Sequence, residues 1–262
     1  MNTETQSRSR SRLKFFLLVF ALSIPFYWAG ALTPLQLLPG LPVSALAFVC
    51  PGIAALILVY RENKSAGVAK LLKRSFDYQR ITAKIWYAPI VLLRPGIMVL
   101  SFVLMRWMGA PIPTPRFAIL PALGLLLAFF AAALCEELGW SGYAIDPMQH
   151  RWGALRAGVL LGLVWAGWHI LPLIQVDRPP AWIAWWCMDT VAARVLIVWL
   201  YNHTGKSVFA ATLYHAVSNL AWQLFPINGS YFDPRITGLI TALVAAIVVL
   251  PWGRRPRPRP TP

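Results

Sequence analysis

Residues 117–140 read FAILPALGLLLAFFAAALCEELGW, and from Phe117 to Cys135 no side chain is charged. A helix rises 1.5 Å per residue, so a run of this length crosses most of a hydrocarbon layer roughly 30 Å thick. The run then ends on two adjacent carboxylates, Glu136 and Glu137. Working outward, comparable apolar runs occupy 15–31, 42–60, 85–105, 157–174, 182–201, 208–225 and 237–252, with 117–137 the fourth of eight. The whole chain of 262 residues is 58% hydrophobic and only 13% charged, too few polar residues to coat a soluble core of this size. These features predict an all-α, polytopic transmembrane helical bundle with about eight membrane helices. A single membrane domain, 15–252, lies between a basic tail, 1–14, and an Arg/Pro-rich tail, 253–262.

The net charge of +15 is distributed in a way that orients the bundle. Eighteen Lys and Arg fall in the two tails, the segment from Arg61 to Lys84 and the stretches after the fourth and sixth spans; Arg106, Arg116, Arg178 and Arg235 fall on the other side. The excess of basic residues on cytoplasmic segments then places both termini in the cytoplasm. No basic stripe is interleaved with exposed aromatics, so nucleic acid is not a predicted partner and the lipid bilayer is. Tyr27, Trp28, Tyr60, Trp86, Tyr87 and Trp252 sit near span ends, where amphipathic rings anchor at headgroup level. The Arg-Pro repeat from Arg254 cannot build a helix, since each proline removes a donor. Cys50, Cys135 and Cys187 show no metal-type spacing and read as packing residues. An integral membrane protein, of a bacterial plasma membrane given the small size, is the predicted location.

Ionisable residues at membrane depth cost a few kcal/mol to insert and are functional candidates for that reason. They occur in three regions: Glu136 and Glu137 at the end of the fourth span, His169 in the fifth, and His215 with Asn219 in the seventh. His215 and Asn219 are four apart and share one helix face, as do Trp165 and His169, which sets an indole against an imidazole. Taken singly, Glu137 fits an interfacial or supporting residue, His169 a packed histidine and Asn219 interhelical glue. Together a carboxylate, two imidazoles and a carboxamide on three helices supply a base, an acid and hydrogen-bond donors, enough to activate water against an acyl carbon. Arg94 and Arg194 also lie within spans; Glu137 and Asp189 are available as partners, and a structural role is predicted for both arginines. His150 and His203 are read as solvated loop residues. A solute transporter is the weaker reading, because no matched half-repeats with broken helices occur.

At these residues the sequence resembles the CPBP family of intramembrane proteases, the CAAX-protease and bacteriocin-processing or Abi family, which includes the Ras-converting CAAX endopeptidase. The family pattern is Glu-Glu-x-x-x-Arg, aromatic-x-x-x-His and His-x-x-x-Asn or Asp on successive membrane helices. It is matched here by Glu136-Glu137, Trp165 to His169, and His215 to Asn219, within a core of about 117–225. The resemblance implies an intramembrane endopeptidase acting on a membrane-embedded or lipid-modified peptide or protein. Glu136 and His169 would activate water, His215 and Asn219 would stabilise the oxyanion, and Glu137 and Trp165 would support them. Zinc held by Glu136, His169 and His215 is the alternative to metal-free glutamate chemistry, although no His-Glu-x-x-His helix is present. One departure stands out: Ser141 occupies the position of the family arginine. That departure motivates a second reading, a non-catalytic membrane scaffold or bacteriocin-immunity protein that keeps the fold.

Overall fold

The computed structural model describes residues 12–227 and 229–249. In chain order the long helices are α1 (Arg12–Leu32), α2 (Val49–Leu72), α3 (Tyr87–Trp107), α4 (Ile119–Gly139), α5 (Ile145–Trp152), α6 (Ala154–Ile174), α7 (Pro180–His203), α8 (Val208–Leu224) and α9 (Pro234–Val249). A two-stranded hairpin, β1 (Gln36–Leu38) and β2 (Leu41–Pro42), follows α1. The all-α membrane bundle predicted from hydropathy is the observed architecture. Among the described residues, six helical stretches are long and apolar enough to cross a membrane: Arg12–Leu32, Val43–Phe76, Lys84–Trp107, Ile119–Trp152, Ala154–Ile174 and Pro180–His203. Among the described residues, α8 spans 17 residues and α9 16, below that length. The tails lie outside the described residues, apart from Arg12 to Lys14.

Three details depart from the hydropathy reading. The basic segment from Arg61 does not leave the helix: α2 continues to Leu72 through a kink at Lys64, where φ is 53°. Hydropathy marks where a helix leaves lipid, and the backbone here stays helical past that point. Glu136 and Glu137 are likewise not at a helix end. The helix widens into a π turn at Trp140–Ala144 and runs on as α5, so the carboxylates sit within a continuous rod from 119 to 152. His203 is the last residue of α7, with Nδ1 2.9 Å from the Trp199 carbonyl oxygen and its ring 4.8 Å from Trp86, and is not a solvated loop residue.

Lipid as solvent removes any need for a polar outer face. Leu120, Leu123 and Leu127 of α4, and Leu92, Val99 and Val103 of α3, form exposed apolar stripes. Inside, helix hydroxyls bond back one turn, as in Ser23 to Val19, Ser101 to Ile97 and Thr241 to Thr237, which satisfies each hydroxyl proton within its own helix. With no water to expel between helices, close contact rests on small residues. A Cβ on Gly52 would lie 2.6 Å from the Cys135 carbonyl oxygen, and one on Gly139 would lie 2.5 Å from the Pro51 carbonyl oxygen. These two glycines let α2 and α4 touch backbone to backbone beside the carboxylates.

A second constraint is a buried ion pair. Arg94 of α3 donates to both oxygens of Asp189 on α7, at 2.9 and 2.6 Å, and to Thr241 of α9 at 3.0 Å. This fork joins three helices and fulfils the pairing expected of a span arginine.

Two predictions follow from this packing. Gly139→Ala forces backbone to move and is expected to lower stability by about 1–3 kcal/mol. The control Gly124→Ala, where a Cβ meets nothing within 4 Å, is expected to leave the melting temperature unchanged. Asp189→Ala strands Arg94 and is expected to cost about 3–5 kcal/mol. The double change Arg94→Met with Asp189→Leu is expected to recover most of that loss, read by thermal unfolding in lipid nanodiscs.

Candidate active site

The two carboxylates are separated in function by their helix. Adjacent residues on an α-helix point about 100° apart, so Glu136 and Glu137 cannot face the same way. Glu136 lines a cavity of about 310 Å³; Glu137 is not among the residues lining it and is fully buried behind. The π turn after Gly139 is marked by the Ile145 amide bonding to the Trp140 carbonyl, five residues back. Its loosened carbonyl at Gly142 is capped by Arg74 Nη1 at 3.0 Å.

Each carboxylate receives a donor one turn on. Trp140 Nε1 donates to Glu136 Oε2 at 3.2 Å, and Ser141 Oγ donates to Glu137 Oε2. Glu136 Oε2 also accepts from Trp165 Nε1 of α6 at 2.8 Å. Two indoles therefore hold one oxygen, and among the described residues Oε1 makes no hydrogen bond. A carboxylate clamped at one oxygen and open at the other, on a cavity wall, is placed to accept a proton.

The two imidazoles are held by Nδ1. His169 Nδ1 is 2.8 Å from the Trp165 carbonyl oxygen, and because a carbonyl only accepts, that nitrogen carries the hydrogen. His215 Nδ1 is 3.0 Å from Glu137 Oε1, a carboxylate oxygen that imposes the same tautomer. In both neutral rings Nε2 is then the acceptor nitrogen. Trp165 packs edge-on against both, with ring centroids 5.5 Å from His169 and 5.1 Å from His215. Trp168 and Trp186 close in on His169 at 4.7 and 5.2 Å.

Glu137 is the node behind this arrangement. Beyond Ser141 and His215, it accepts from Arg194 of α7, whose Nη1 lies 2.9 Å from each of its oxygens. The Arg194 side chain is wholly buried. A span arginine and a span glutamate thus pair across two helices.

Of the residues singled out by sequence, Glu136, His169, His215, Asn219 and Trp165 all line the one cavity; Glu137 stands behind it. Trp140 was not singled out, although its i+4 spacing from Glu136 carries that signal. Arg94 and Asp189 also line the cavity, and their charges answer each other there. Among the described residues no three His, Cys, Asp or Glu side chains form a group able to hold a metal ion. Glu136, His169 and His215, the ligands of the zinc alternative, are not such a group; the Trp165 indole packs against both imidazoles and donates to Glu136 Oε2.

Residues 118–221 match the family model described as type II CAAX prenyl endopeptidase Rce1-like. The chain is 28% identical over 265 residues to CAAX prenyl protease 2 of Methanococcus maripaludis, covering 90% of this chain and 92% of the relative. The matched segment runs from the start of α4 to within α8 and contains every cavity residue named from the three motifs. The resemblance read from those motifs is thereby borne out: residues 118–221 of this helical bundle are similar to Rce1-like CAAX prenyl endopeptidases, and that similarity supports proteolysis within the membrane.

Proposed function

We infer that the chain hydrolyses a peptide bond near the C-terminus of a lipid-modified protein, with Glu136 as the base toward water. The observation that carries this reading is the single cavity onto which Glu136, His169, His215 and Asn219 all open, while Glu137 is turned away. The cavity wall is otherwise largely apolar, with Phe48, Phe129, Leu173, Ile197 and Trp222 among its lining, which suits a substrate that arrives with its own lipid. A prenylated CAAX-type terminus is the class that the relative's name supplies.

The chemistry follows from the held atoms. Water bound between Glu136 and Nε2 of His169 loses a proton to Glu136 as its oxygen bonds to the scissile carbonyl carbon. The negative charge that builds on the carbonyl oxygen meets the Asn219 carboxamide. His215, held at Nδ1 by Glu137, lines the cavity beside it. Collapse breaks the C–N bond, and Glu136 returns the proton to the leaving amine. Donors fixed in an apolar interior act more strongly than the same groups in water and need no reorganisation during the reaction. No step is routed through a metal.

The scaffold alternative draws on Ser141; Arg194 beside Glu137 brings a cation to that carboxylate and favours the endopeptidase reading. The orientation favoured is the one from the Lys and Arg distribution, with both termini on the cytoplasmic face.

The test is cleavage of a farnesylated CAAX peptide by purified protein in nanodiscs, with folding checked by gel filtration. Glu136→Gln is expected to lower kcat by about 10²–10⁴-fold, and Asn219→Ala by about 10²–10³-fold. Trp165→Phe, which frees Glu136 Oε2 of one donor, is expected to lower kcat less than either. A folded Glu136→Gln variant with wild-type turnover rejects the reading.

A further inference from the structure

An arginine at position 141 would lie one turn from Glu137 on the same helix; Ser141 reaches that carboxylate with a hydroxyl and brings no charge. A wholly buried carboxylate without a cation costs several kcal/mol, so the charge must come from elsewhere. It comes from α7. Arg194 Nη1 lies 2.9 Å from each Glu137 oxygen, and the guanidinium carbon stands 4.0 Å from the centroid of the Trp165 ring. Among the described residues its Nε and Nη2 find no hydrogen-bond partner. The orientation of the guanidinium is therefore fixed by two contacts, a carboxylate and a ring face.

Those two contacts lead to both halves of the site. Glu137 holds Nδ1 of His215, and Trp165 donates to Glu136. Access for Arg194 depends on Gly162 of α6, since a Cβ there would lie 3.0 Å from the Val191 Cα and 3.2 Å from the Arg194 Cβ. The glycine lets α7 approach until its arginine reaches behind the motifs.

We propose that Arg194 is the positioning cation of this site, standing in from α7 for the arginine absent at 141 and fixing the tautomer and orientation of His215 through Glu137. Its kinetic consequence rests on the endopeptidase reading; its structural consequence does not. Arg194 touches no cavity surface, so it acts through Glu137 and Trp165 and not on the substrate.

The experiment uses full-length protein in nanodiscs and two readouts: kcat and KM on a farnesylated CAAX peptide, and ¹⁵N-histidine NMR. The chain has four histidines, so a His215→Gln spectrum assigns the His215 signal. In wild type, His215 is expected to show a single Nδ1-protonated signature. Arg194→Ala is expected to lose that signature and to lower kcat by about 10²-fold or more, with KM within about threefold of wild type. Arg194→Lys, which keeps the charge, is expected to stay within about tenfold of wild type. The double variant Ser141→Arg with Arg194→Ala, which returns the cation to α4, is expected to regain at least about tenfold over Arg194→Ala and to restore the His215 signal.

Folded Arg194→Ala with unchanged kcat and an unchanged His215 signal overturns the proposal. So does a folded double variant that remains at the level of Arg194→Ala. Should Arg194→Ala not fold, Arg194→Lys and the double variant decide: activity in both supports the relocated cation, and two folded but inactive proteins oppose it. Absence of cleavage by wild type rejects the endopeptidase reading alone, and the NMR arm then decides the role of Arg194.

Discussion

A carboxylate buried in a lipid-facing bundle has to be neutralised where it stands, and Glu137 is the group around which this molecule is arranged. It takes Ser141 from its own helix, Arg194 from α7 and His215 from α8, and so ties three helices at one point. In hydrocarbon no water can substitute for a missing donor, which makes the node stiff. Its stiffness is transmitted outward: His215 is held by Nδ1, so the opposite nitrogen is directed by the ring geometry and not by chance rotamers.

Glu136, the neighbour, is treated in the opposite way. Neutral indole donors hold one oxygen, and among the described residues no cation pairs with it, so its other oxygen stays open on the cavity wall. Two adjacent glutamates thus have opposite surroundings, one tied as an anchor and one open on the cavity wall, where the proposed reaction needs a base. The 100° turn between consecutive residues accomplishes the separation. The close backbone contacts at Gly52 and Gly139 hold the helix that carries them against α2.

Local helical geometry explains what was legible in the sequence. His215 with Asn219, and Trp165 with His169, share faces because four residues make about one turn, and both pairs open on the cavity as that spacing requires. The ionisable residues within spans were conspicuous, and their cost announced partners before any were located. What could not be read was long-range. Arg194 lies 57 residues from Glu137, and nothing local distinguishes it from Arg94, which took Asp189. The continuation of α4 through Trp140–Ala144 was hidden for a different reason: hydropathy reports solvent, and a helix that turns polar while staying helical looks like a helix end. The same blindness made the helical stretch after Arg61 read as loop.

The claim on which the rest depends is that Glu136 draws a proton from water and never becomes the attacking atom itself. Single-turnover cleavage of a prenylated peptide in H₂¹⁸O, followed by mass spectrometry of both the product and the enzyme fragment containing Glu136, tests this directly. The account predicts one ¹⁸O atom in the new carboxylate of the lipid-bearing product and none in Glu136. Label appearing in the Glu136 carboxylate would mean an acyl link formed through that side chain, and would contradict it.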